Sequence, residues 1–203
     1  MLQLYVIRHG ETEWNVEKRS QGRLDSALTE KGRRDAHSLG ERLKETEFEW
    51  IYCSPSGRTM ETASIVAGNR SIPLVTDERL MEIDLKDWQG KTEDEVKKEY
   101  PKSFQQYWNE PELYDGGSGE SFADVRNRLA SFLQELEESS LSGNVLVITH
   151  GIVIKTLYLL CREQETERIW DPPFIHGTCL TIVKMDENGK ELLLKGCMAH
   201  SKA

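Results

Sequence analysis

The chain has 203 residues, 37% of them hydrophobic and 30% charged, with 15 Gly and 6 Pro. At about 150 residues per domain this predicts a single domain over 1–203 with a core of its own, and it excludes collagen-like, disulfide-scaffold and disordered chains. Lys and Arg number 26 against 35 Asp and Glu, so the formal charge is −9, which argues against nucleic acid or an anionic membrane as partner while leaving room for a small anion held by a few local Arg.

Leu4–Ile7 reads as a buried strand. It meets Arg8-His9 too soon for a signal peptide, and no stretch approaches the roughly 18 apolar residues of a membrane span, so the expected location is cytoplasmic. A polar loop runs to Thr29, placed to cap a helix over Glu30–Glu45 with Ala36, Leu39 and Leu43 on one face. Trp50–Cys53 predicts a second strand, Ser56–Ala67 a helix ended by Gly68, and Ile72–Val75 a third strand. Between Leu85 and Gly119 the pattern weakens. Thr92-Glu93-Asp94-Glu95 opens a short helix there that closes before Pro101.

Ser121 starts the strongest helix, with Phe122, Val125, Leu129, Phe132, Leu133 and Leu136 at helical spacing and Gly143 ending the segment. Val145–Thr149 predicts another buried strand, Ile152–Cys161 a helix, and Leu180–Met185 with Glu191–Cys197 a hairpin through Glu187-Asn188-Gly189. Strands alternating with helices predict a three-layer αβα sandwich with a mostly parallel central sheet, and 85–119 a small helical lid. Cys53, Cys161, Cys179 and Cys197 show neither C-x-x-C nor metal spacing and read as reduced thiols.

One internal echo carries chemistry. Val6-Ile7-Arg8-His9-Gly10 and Val147-Ile148-Thr149-His150-Gly151 share V-I-x-H-G, each presenting a histidine where a strand ends. In open α/β sheets ligands bind at that edge. After the second strand, Arg58 falls in the first turn of a helix, where a cation opposes the dipole unless helix amides and guanidinium together hold an anion. Clustered histidines could hold a divalent metal, but the two guanidiniums would repel it and few carboxylates accompany them; two guanidiniums with two imidazoles suit a tetrahedral dianion, so no metal and no cofactor is expected.

These residues resemble the histidine phosphatase superfamily, phosphoglycerate-mutase-like branch. Arg8-His9-Gly10-Glu11-Thr12-Glu13-Trp14-Asn15 is similar to its R-H-G-E-T-x-W-N motif. Leu28-Thr29-x-x-Gly32, Ser54-Pro55-Ser56-Gly57-Arg58-Thr59, Glu82 with Trp88-x-Gly90, Gly119-Glu120-Ser121 and Thr149-His150-Gly151 follow in the family's order. The resemblance implies His9 as nucleophile and Glu82 as proton donor, then base. Arg8, Arg58 and His150 would hold the transferred oxygens, with Asn15, Gln21 and the backbone near Gly22 and Gly151 binding the phosphoryl group.

Two positions depart from the family pattern: Lys86 stands where Gly is usual, and Gln89 where W-E-G has Glu. Lys86 is a candidate contact for an anionic substrate. The implied function is hydrolysis of small phosphate monoesters by a monomer or homodimer, with phosphoglycerate mutase, or a non-catalytic phospho-ligand binder, as alternatives. Tyr100, Phe104, Tyr107, Trp108 and Tyr114 would either line the pocket, favouring apolar esters, or pack two short helices onto the body.

Overall fold

The computed structural model describes residues Met1–Ser201. Strands β1 (Leu2–Arg8), β2 (Trp50–Cys53), β3 (Leu74–Thr76), β4 (Gly143–Thr149), β5 (Leu180–Asp186) and β6 (Gly189–Cys197) form one sheet in the order β3-β2-β4-β1-β5-β6. The first four in that order run parallel, and the β5–β6 hairpin adds an antiparallel edge on β1. Helices α1 (Glu13–Val16), α2 (Glu30–Arg42), α3 (Gly57–Ala67), α4 (Glu93–Glu99), α5 (Pro101–Asn109), α6 (Phe122–Glu138) and α7 (Gly151–Arg162) complete the three-layer α/β architecture.

Strand alternation divides the core. Leu4, Val6, Val145 and Val147 pack with the apolar stripe of α6 and with α7, whereas Ile7, Leu146 and Ile148 pack with Ala36 and Leu39 of α2 and Ala63 and Val66 of α3. Both faces of β1 and β4 are therefore covered, which is why their sequences are continuous apolar runs.

The register explains the repeated motif. Val6, Ile7 and Arg8 pair directly with Val147, Ile148 and Thr149 on the neighbouring parallel strand. The His9 N–H then donates to the Thr149 carbonyl at 3.0 Å, and the Ser54 N–H to the Ile148 carbonyl at 3.0 Å. Three strands thus end at one edge and deliver Arg8-His9, Ser54 and His150 side by side.

Most expected elements occur within a residue or two of their predicted ends, and the differences have local causes. The expected polar loop to Thr29 contains α1, whose Thr12–Asn15 capping box is complete in four residues, too short for periodicity to reveal. Glu93–Glu99 ends as expected before Pro101, but Pro101 then occupies the first position of a second helix, where its missing N–H costs nothing. α6 stops at Glu138, and Gly143, at φ +86°, opens β4 rather than closing the helix.

The loop after His9 lies directly on the start of α2. The Thr29 N–H donates to the Glu11 carbonyl at 2.9 Å, and a Cβ on Gly32 would stand 2.2 Å from that same oxygen. Gly32→Ala must therefore move backbone, at a cost of about 2–3 kcal/mol. The expected result is a melting temperature lower by roughly 4–12 °C, measured by calorimetry; an unchanged Tm would show that the loop after His9 yields.

Candidate active site

A cavity of about 650 Å³ opens over the carboxyl edge of β1 and β4. Arg8, His9, Arg58, Glu82 and Gly151 line its floor together with Asn15, Gln21 and Gly22, and residues from 85–108 and 170–175 form its walls. All the residues that the family resemblance assigns to the site meet here except His150, which lies just beneath, its ring edge-on to His9 with centroids 5.3 Å apart.

The His9 ring is buried and its Nδ1 lies 2.8 Å from the carbonyl of Gly10. A carbonyl only accepts, so Nδ1 carries the proton and Nε2 keeps its lone pair. Burial first, then the charges of Arg8 and Arg58, hold the His9 pKa well below its usual 6.5. The Gly10 N–H donates to Thr62 Oγ1 at 2.9 Å, tying this peptide to α3.

Arg58 is 2% exposed and surrounded by acceptors. One terminal nitrogen donates to the Leu24 carbonyl at 2.7 Å and to Asp25 Oδ1 at 2.8 Å, the other to the Gly22 carbonyl at 2.8 Å and to His150 Nδ1 at 3.1 Å. The α3 amide expected to face an external anion is instead capped by the chain's own carboxylate: the Arg58 N–H points to Asp25 Oδ2 at 3.2 Å. No local pattern in the sequence distinguishes Asp25; its partner is 33 residues away.

His150 Nδ1 accepts from Arg58, so its Nε2 carries the proton and donates to Ser54 Oγ at 2.8 Å. Burial and the Arg58 charge keep this imidazole neutral, well below its usual pKa.

Arg8 donates from one terminal nitrogen to the Ile175 carbonyl at 2.7 Å. Its Nε, like that of Arg58, is buried without a protein acceptor. A buried unsatisfied donor costs about 1–3 kcal/mol, so both nitrogens favour an anion. Glu82 lies beside this pair: a Cβ on Gly151 would be 3.8 Å from both Arg8 Nε and Glu82 Oε2. Glu82 accepts from the Ile83 amide at 3.0 Å and the Ile152 amide at 3.4 Å. Burial nevertheless outweighs these bonds and the two guanidiniums, and raises its pKa.

The supporting residues divide by what their side chains touch. Asn15 uses Oδ1 on the Thr12 amide at 3.1 Å. Gln21 is held internally, donating to Thr12 Oγ1 at 2.7 Å and accepting from Ser26 at 3.2 Å, so its side chain shapes the wall. Gly22 takes φ +53° and abuts Gln89, whose Oε1 accepts the Arg23 amide at 2.6 Å. Gln89 thus braces the loop that carries Gly22.

Lys86, a candidate contact for an anionic substrate, is turned elsewhere: its ammonium pairs with Asp84 at 3.0 Å, outside the cavity. Its backbone keeps a positive φ of +34°, the conformation that glycine adopts most readily. Glu120, unassigned in the sequence reading, accepts the Asp84 amide at 3.0 Å and pairs with Arg128 at 3.0 Å, bracing the loop after Glu82.

The aromatic set divides between the two roles foreseen for it. Tyr107 and Tyr114 are buried with Trp88 and Phe122, while Phe104, Trp108 and one side of Tyr107 face the cavity. Trp170, stacked on Trp108 at 4.4 Å, and Phe174 continue the apolar wall. Among the described residues no group of three or more His, Cys, Asp or Glu could hold a metal ion, and no helix is long and apolar enough to cross a membrane.

Known proteins resemble this chain along nearly its whole length. The model of the histidine phosphatase superfamily (branch 1) matches residues 4–197. Phosphoserine phosphatase 1 of Hydrogenobacter thermophilus is 33% identical over 200 residues, 98% of this chain and 94% of the relative. Phosphoglycerate mutase-like protein 4 of Arabidopsis thaliana is 36% identical over 82% of this chain and 75% of its own. The solved structure of Bacillus stearothermophilus YhfR superposes over the full length of both chains with a TM-score of 0.96 at 44% identity.

Two neutral buried imidazoles make folding pH-dependent. The pKa values of His9 and His150 lie well below 6.5 in the folded chain, so the unfolded chain takes up protons that the folded one excludes. The stability this linkage contributes is present above pH 6.5 and lost as pH falls toward the depressed values. Glu82, with its pKa raised, works in the opposite direction, but it is one group against three, because burial lowers the pKa of His200 as well. In phosphate-free buffer, Tm should fall between pH 7.5 and 5.5, and His9→Asn, which keeps a donor for the Gly10 carbonyl, should show a shallower fall. Identical slopes would mean that His9 is protonated in the folded state.

Proposed function

Because the chain belongs to the histidine phosphatase superfamily (branch 1) and is a phosphatase of small phosphate monoesters, we propose that it hydrolyses them through a phosphohistidine on His9. The observation that carries this reading is the fixed tautomer of His9, which leaves an unprotonated Nε2 on an imidazole in the field of two guanidiniums. Nε2 attacks phosphorus as the ester P–O bond breaks. Glu82, whose pKa burial raises, gives its proton to the leaving oxygen. The resulting carboxylate takes a proton from water, the water oxygen attacks phosphorus, and the N–P bond breaks to release inorganic phosphate.

Arg8 and Arg58 stabilise the charge that develops on the transferred oxygens and supply what a metal would otherwise bring. Asn15 and the backbone at Gly22 and Gly151 complete the phosphoryl site, with Gly151 at the positive end of α7. His150 acts by orienting Arg58; direct donation to phosphate requires its Nε2–H to leave Ser54. Trp88, Phe104, Trp108, Trp170 and Phe174 suit an apolar ester body. The same reading takes the enzyme as one cytoplasmic catalytic domain, monomer or homodimer, acting without metal, cofactor, nucleic acid or membrane. The charge of −9 supports the last two.

Acid-quenched enzyme should carry acid-labile, base-stable phosphate on His9, and excess chelator should leave turnover unchanged. Loss of activity on chelation, restored by a divalent ion, would overturn the metal-free mechanism, and faster isomerisation of a phosphoglycerate primed with the bisphosphate than hydrolysis would favour a mutase.

Glu82→Gln separates the two proton transfers. An alkyl leaving group needs the acid and an activated phenol does not, so the first step should slow far more for alkyl esters. With an activated aryl phosphate the variant should release a burst of phenol near one equivalent and then turn over slowly, because the base for hydrolysis is gone. Equal losses for both esters without a burst would remove Glu82 from the mechanism.

A further inference from the structure

Lys155 lies one turn beyond Gly151 on α7, lines the same cavity and is 7% exposed. It forms no ion pair among the described residues. Its ammonium donates to two backbone carbonyls, Asp171 at 2.5 Å and Pro173 at 2.8 Å. A cation held only by neutral carbonyls in a buried place is costly, and a Met there would fill the same volume without that penalty. The charge therefore needs a reason.

The two carbonyls belong to the segment that ends at Ile175, whose own carbonyl accepts from Arg8 at 2.7 Å. That bond is the Arg8 guanidinium's one contact with a protein acceptor among the described hydrogen bonds. At the other end, Trp170 donates its indole N–H to the Tyr107 carbonyl at 2.7 Å. The segment is thus tethered to α5 at its start, to Lys155 in its middle and to Arg8 at its end, with Pro172 and Phe174 facing the cavity between them. A segment of this kind, short of regular backbone bonds, holds one shape only where side chains supply them.

We propose that Lys155 is a positioning residue: through the Asp171 and Pro173 carbonyls it fixes the Ile175 carbonyl that aims Arg8 at the phosphoryl oxygens. This rests on the role proposed above for Arg8. A direct contact between Lys155 and phosphate is the competing arrangement, and it predicts a different pattern of coupling.

The test is a double-mutant cycle read by calorimetric binding of inorganic phosphate to wild type, Lys155→Met, Arg8→Ala and the double variant. Lys155→Met should weaken phosphate about tenfold in the wild-type background and less than twofold beside Arg8→Ala. Lys155→Gln, which keeps an amide donor, should fall between Met and wild type, and it carries the same cycle if the Met variant does not fold. A similar loss in both backgrounds would show direct contact and overturn the proposal, as would unchanged affinity in Lys155→Met. Wild-type affinity in Arg8→Ala alone would instead overturn the reading of Arg8, a result separate from the coupling.

Discussion

Two guanidiniums stand within reach of one imidazole at the end of a parallel sheet, and like charges brought together out of water repel. Arg58 meets this cost with a carboxylate, two carbonyls and an imidazole, and Arg8 with a single carbonyl. Much of the surrounding chain is arranged to supply those acceptors. The 20–25 loop turns its Gly22 and Leu24 carbonyls inward, and Gln89 and Glu120 brace that loop and the one after Glu82. What the protein does not supply is an acceptor for either buried Nε, and a phosphoryl dianion meets both needs.

The same low-dielectric surroundings set the protonation states in opposite directions. Ordinarily a carboxyl of pKa near 4.5 is ionised well before an imidazole of 6.5 becomes neutral, so a neutral nucleophile and a protonated acid rarely coexist. Burial moves His9 down and Glu82 up, so that each approaches the form the first step requires. Desolvation is the leading cause in both, and the guanidiniums oppose it at Glu82 while reinforcing it at His9. One environment thus prepares two groups for opposite roles in the proposed mechanism, in which transfer to His9 leaves Glu82 as the carboxylate that hydrolysis needs.

Where the physics is local, the sequence was sufficient. Capping at Thr29 and Ser121, the apolar stripe of α6 and the continuous apolar runs of β1 and β4 each declare an element within about ten residues. The V-I-x-H-G echo went further, because parallel strands in register turn a sequence repeat into a spatial pair. Glu82 was legible only through family resemblance, since nothing nearby distinguishes it from other acids. Glu120 was legible only as part of the Gly119-Glu120-Ser121 motif, without a role, and Asp25 and Lys155 were not legible at all: each acts on a partner that pattern and propensity cannot place, and for Lys155 the partners are main-chain carbonyls that leave no trace in residue type. The candidate contact at Lys86 fails for a related reason: its charge suggests a ligand, while Asp84, two residues away, already holds it.

The partners of the remaining cations bear on what else the cavity can hold. Rephosphorylating a product within one site calls for a place to hold a second anion close by. Arg19, at the rim, is held by the Gly90 carbonyl at 2.9 Å and by Glu17 at 2.5 Å. Lys155 is turned onto carbonyls, and Lys86 lies outside. Apart from Arg8 and Arg58, the charge nearest to being available is Lys18, an exposed side chain whose attraction for an anion is screened by solvent. The wall facing the phosphoryl site is indole and phenyl, which rewards an apolar body and offers a second phosphate little. With one strong anion site and an apolar wall, the proposed phosphoenzyme has water as its ready acceptor, and that asymmetry favours hydrolysis over transfer.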